Sequence, residues 1–85
     1  MSEEQGKVIV EIFGEKHVLR GGESQEHMIK VAHEVDKKMR YIAQRMPRLA
    51  IHQVAILAAL NLADELEKLR EEQETLMQLI GNSEE

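Results

Sequence analysis

Counted back from Ile80, the residues Ile80, Leu76, Gln73, Leu69, Leu66, Leu62, Ala59 and Ala55 recur at alternating steps of four and three. This is the heptad repeat of a coiled coil, with one polar residue, Gln73, at a core position. An amphipathic helix of this kind is poorly stable alone in water, so its seam must be buried against another surface. The spacing predicts a helix over about 48–80, with Ala50 at its N-cap position and Gly81-Asn82 supplying a left-handed stop. Residues 51–63 are apolar nearly all round, the mark of a helix buried on most sides.

Residues 8–13, Val-Ile-Val-Glu-Ile-Phe, are β-branched and aromatic and read as a strand. Gly14 follows, then His17 to Arg20 and a Gly21-Gly22 break, which together make a β-hairpin. A turn at Gly14-Glu15 would be type II′, whereas one centred on Glu15-Lys16 would set Glu11 opposite Arg20 and Phe13 opposite Val18. Both registers keep Val8, Val10, Ile12 and Leu19 on one face. A first helix over about 24–45 follows: Ser24 is its N-cap, and Met28, Ala32, Val35, Met39, Ile42 and Met46 form one apolar stripe. Pro47 ends it, because proline lacks an amide and disfavours helical geometry in the residue before it. The methionines at core spacing, including Met46 and Met77, read as packing residues.

At 1.5 Å per residue the first helix spans about 31 Å and the second about 46 Å. Joined as an antiparallel hairpin, the first runs out near residue 70, so Leu76, Met77, Leu79 and Ile80 lie beyond its reach. With 85 residues and no Cys, the chain has room for about one core and no disulfide to support it. An obligate dimer or larger assembly is expected, with Ala55, Ala59, Leu62, Leu66, Leu69, Gln73, Leu76 and Ile80 as the oligomer interface. Glu65 at g and Arg70 at the following e form the pairing that favours parallel dimers. Met77 and Leu79 widen the stripe, as expected if dimers pair into tetramers. The fold class is α+β: an N-terminal β-hairpin, one amphipathic helix, and a long C-terminal helix forming an intermolecular coiled coil. One domain is expected, with a globular head over 1–50 and the dimer core and stalk over 51–85.

Charge is unevenly placed: nine Lys/Arg stand against eight Asp/Glu in residues 1–50, and two against eight in 51–85. Lys37, Lys38, Arg40, Arg45 and Arg48 form a stretch with no acid among them. No apolar run approaches the ~20 residues of a membrane span, and the opening Met1–Lys7 carries acids where a signal peptide carries bases, so a cytoplasmic protein is expected. The four histidines include no pair three or four apart on one helical face, and no phosphate loop, nucleotide fingerprint or Ser-His-Asp order appears. Neither an enzyme nor a bound metal or cofactor is expected. The basic face of the first helix admits an alternative reading, a small nucleic-acid-binding or generic dimerisation module. Overall acidity and few aromatics weigh against nucleic acid.

The order of parts resembles a known family. A strand ending Ile12-Phe13-Gly14, a helix carrying Val31-Ala32, Val35-Asp36 and Met39, a proline-marked break, and Ala58-Ala59-Leu60-Asn61-Leu62-Ala63-Asp64-Glu65-Leu66 leading into heptads are similar to the bacterial cell-division protein family ZapA. The likeness covers about residues 7–80. It implies an accessory protein that binds the tubulin-like GTPase FtsZ and bundles its filaments at midcell, with a dimerising head and a coiled coil able to join dimers into tetramers. It carries over dimer-forming positions such as Ala55, Ala59, Leu62 and Leu66 but no catalytic residue. Exposure and charge make Glu15, Lys16, Lys37, Arg45, Arg48 and His52 the candidate FtsZ contact.

Overall fold

The computed structural model describes residues 6–83; the acidic opening segment read above for its charge lies largely outside them. Strand β1 (Lys7–Ile12) and β2 (Glu15–Arg20) form a two-stranded antiparallel sheet, followed by helix α1 (Gln25–Arg45) and the long helix α2 (Ile51–Ser83).

The hairpin closes on Phe13-Gly14, with φ of 52° and 83°. Val8 therefore faces Leu19, Val10 faces His17 and Ile12 faces Glu15, which is neither of the two registers expected from sequence. Gly14 fills a positive-φ position at little cost, but Phe13 fills the other, and an L-residue there costs roughly 1–2 kcal/mol. The predicted apolar face survives because the three registers differ by even steps and side chains alternate with period two. Val10 is buried on it, and Val8, Ile12 and Leu19 are half-buried.

Ser24 caps α1 as expected: its hydroxyl accepts the His27 backbone N–H at 3.1 Å. Met28, Ala32, Met39 and Ile42 are buried and Val35 half-buried. Met46 departs from the predicted stripe. The restriction that Pro47 places on its predecessor turns Met46 out of the helix to φ −132°, and its side chain is exposed.

Helix α2 begins at Ile51, directly after the expected cap position Ala50, though later than the approximate start at residue 48. Ala50 holds the N-cap position without a side-chain acceptor, and the Gln53 Oε1 instead accepts the Ala50 N–H at 3.0 Å, the backward half of a capping box. At the other end the helix passes through Gly81 to Ser83, so the expected glycine stop is not used. A glycine ends a helix only when it turns left-handed to return its neighbours' amides to the last carbonyls, and Gly81 has no positive φ.

The core joins both helices and the hairpin. Met39, Ile42, Val54 and Ala58 form its centre, with Ile12, Phe13, Val35, Leu49 and Leu57 packed around them. The N-terminal half of α1 turns elsewhere, setting Ala32 and Ile29 beside Val10 of β1. Because the α1 stripe is shared between α2 and the hairpin, the helices part sooner than antiparallel packing along their whole length predicts. Leu62 is half-buried, and every residue from Ala63 to Gly81 is exposed. Lys38 Nζ reaches the Glu65 carboxylate at 2.6 Å, well short of the expected limit near residue 70. The outline is flat and splayed, 53 × 44 × 13 Å.

Candidate interaction surfaces

Two surfaces follow from this framework. The first is the seam of α2. Ala55, Ala59, Leu66, Leu69, Gln73, Leu76 and Ile80 are exposed and Leu62 is half-buried. Leu69, Leu76, Leu79 and Ile80 each leave about 60% of their surface open and Met77 leaves 71%, as expected for residues beyond the reach of α1; the core-packing reading of Met77 does not hold within the single chain. The predicted Glu65–Arg70 pairing between chains meets competition, since Glu65 is bonded to Lys38 and Arg70 lies 3.6 Å from Glu67, all within one chain.

The second surface is the basic end of α1 with the hairpin tip. Glu15, Lys16, Lys37, Arg45, Arg48 and His52 are all exposed. Glu15 lies 3.6 Å from His17, Lys37 lies 3.4 Å from Glu34, and the Arg45 guanidinium stacks on Tyr41 at 4.5 Å from the ring centroid. The other two bases of the acid-free stretch are engaged internally: Lys38 with Glu65, and Arg40 with Asp36. An open groove lined by Glu34, Lys37, Lys38, Arg40, Tyr41, Gln44 and Glu65 runs along this face. Tyr41, half exposed under Arg45, is a contact group that the apolar stripe gave no reason to single out.

Sequence reasoning also missed Asp36, whose carboxylate ties the hairpin tip to α1. Its Oδ1 accepts the Phe13 backbone N–H at 2.7 Å, and both its oxygens accept from Arg40 Nε at 3.1 Å. The Arg40 guanidinium in turn stands 5.9 Å from the centroid of the Phe13 ring. The Phe13 N–H first, and Arg40 second, hold the Asp36 carboxyl below the ordinary carboxylate range. A carboxyl depressed in the folded state stabilises it above the unfolded value, about 3.9, and loses that contribution as pH falls through the folded value. Acidification below about pH 4 is therefore expected to destabilise the chain partly through Asp36. In urea melts from pH 7 to pH 2, the Asp36→Asn variant should show a shallower decline than the parent; identical pH slopes would contradict this.

Among the described residues no group of three or more His, Cys, Asp or Glu could hold a metal ion, and no helix is long and apolar enough to cross a membrane. What the described surface offers is a linear apolar seam and a charged tip on a small α+β fold. The chain belongs to the ZapA family: the model of that family, cell division protein ZapA, matches residues 8–84. It is 40% identical over 79 residues to cell division protein ZapA of Geobacillus sp. (strain WCH70), covering 92% of this chain and 91% of the relative. The ZapA of Bacillus licheniformis is 43% identical over 70 residues, 82% of either chain. A solved structure, a ZapA mutant dimer from Geobacillus stearothermophilus, superposes with a TM-score of 0.72 at 34% identity, covering 89% of this chain and 88% of that one.

Proposed function

We propose that this chain is a non-enzymatic crosslinker that self-associates through α2, binds FtsZ and bundles its filaments at the cytoplasmic division site. The observation that carries the reading is the exposed heptad seam on α2, in a chain whose solved relative is a dimer. Pairing two seams gives one rigid particle with two copies of the hairpin tip and of the basic end of α1. A second contact made by such a particle occurs at high effective concentration, so weak sites are enough to hold neighbouring filaments together. The stretch after residue 50 holds eight acids against two bases, so it is repelled by an acidic filament and leaves the tip and α1 as the contacting surface. Dimers pairing through Met77 and Leu79 would form tetramers with contact sites at both ends. No hydrolysis is required of this protein in such a role.

Reversing Arg45 and Arg48 to Glu tests the contact without touching the seam. FtsZ assembled with GTP should bundle with the parent chain and give strong light scattering and a low-speed pellet. The double variant, still dimeric by mass, is expected to need at least tenfold more protein for the same pellet, a difference of about 1.4 kcal/mol. Bundling at the parental concentration would remove these residues from the contact.

A further inference from the structure

The apolar face of the hairpin does not choose its own register. Closure on Phe13-Gly14, on Gly14-Glu15 or on Glu15-Lys16 leaves Val8, Val10, Ile12 and Leu19 on the same side, so burial of these four strand residues is blind to which turn forms, and what distinguishes the turns is the placement of Phe13, which packs at the edge of the core. Local turn chemistry prefers an alternative, since a type II′ turn at Gly14-Glu15 needs positive φ only at glycine, whereas the observed turn places the bulky Phe13 at φ 52°. The observed register nevertheless holds: the Phe13 side chain packs against the core, and the side chain that hydrogen-bonds the turn backbone from outside the hairpin is Asp36, which takes the Phe13 N–H at 2.7 Å while Arg40 bonds the carboxylate and approaches the Phe13 ring.

We propose that Asp36 sets the register of the β-hairpin and is thereby a positioning residue for the filament contact. In the observed register Glu15 and Lys16 are the first two residues of β2, paired with Ile12 and Glu11 and fixed relative to α1. In the alternatives one or both enter the turn. Their charges then move relative to the basic end of α1, while Val8, Val10, Ile12 and Leu19 keep the same face. Asp36 acts on recognition through the place it gives two other residues and touches no partner itself. A strained residue held by surrounding contacts is the expected sign of such preorganisation.

This inference rests on the proposed FtsZ contact, and the test separates the two. Full-length parent, Asp36→Ala, Glu15→Ala/Lys16→Ala and the combined variant are compared by cross-strand NOEs, by mass and by cosedimentation with GTP-assembled FtsZ. Asp36→Ala should remain dimeric, show a second set of cross-strand contacts such as Val10 with Leu19, and bind FtsZ about five- to tenfold more weakly. In the Glu15→Ala/Lys16→Ala background the same substitution should change binding less than twofold. Asp36→Asn, which retains an oxygen for the Phe13 N–H, should restore the single register and most of the binding, and it also serves if Asp36→Ala fails to fold. A single parental register in Asp36→Ala, or equal losses in both backgrounds, overturns the proposal. A parent that does not sediment with FtsZ overturns the functional reading instead.

Discussion

Replacing Leu69 and Leu76 together by Lys is expected to leave a monomer near 9.8 kDa where the parent runs at twice that mass or more. Both side chains sit in the seam well past Leu62, where α1 no longer covers α2, and about 60% of each is exposed in the single chain. They support no intrachain core, so their loss acts on association. Burying a Leu side chain contributes about 1.5–3 kcal/mol, and in a symmetric pair each substitution counts twice. Four lost leucines and four facing ammonium groups exceed what a seam of this length recovers elsewhere. Multi-angle light scattering at micromolar concentration reads the result, and a parental mass for the double variant would refute an interface along these positions. With the dimer lost, FtsZ pelleting should fall to the level of FtsZ alone, because one weak site cannot bridge two filaments.

Ile42→Ala is the second large effect, and it acts on the fold. Ile42 is 5% exposed at the centre of the cluster with Met39, Val54 and Ala58, where α1 and α2 are held together. Isoleucine truncation in a core costs about 2–5 kcal/mol, the sum of lost transfer energy and the cavity left behind. Seven apolar side chains are buried among the described residues, so this is a large share of what so small a core supplies. Urea melts at fixed protein concentration should show the midpoint collapsing or the transition vanishing. A loss below about 1 kcal/mol would mean that the helix–helix junction is not the stabilising centre inferred above.

Much of this architecture was legible in the sequence because its signals are periodic. The stripe from Met28 to Ile42, the Ser24 cap, the Pro47 break and the alternation of Val8, Val10 and Ile12 each have a physical cause acting over a few residues. The misreadings arose where a distant group decides. The hairpin turn depends on Asp36, 23 residues beyond Phe13, and no local preference places a phenylalanine at positive φ. The parting of α1 from α2 depends on Ala32 turning to β1 and Met28 lying beside Gly21 at the end of the hairpin, a choice invisible in a stripe that reads equally well against either neighbour. The candidate surface was only partly legible for the same reason. Five bases appear equivalent along the chain, and only folding shows that Lys38 and Arg40 are already engaged by Glu65 and Asp36.

The early parting of the helices has a consequence for supply. From Leu66 to Gly81, α2 is exposed in the single chain, and a lone helix of this kind frays in water. Under the proposed pairing, formation of this segment and encounter with a second copy are one equilibrium, so its folded fraction depends on how much protein is made. Below the dissociation constant the chain is a short α+β head with a melted tail; above it, the tails are helical and paired. The cell could then set the amount of working crosslinker more steeply than in proportion to synthesis, with no modification or ligand involved.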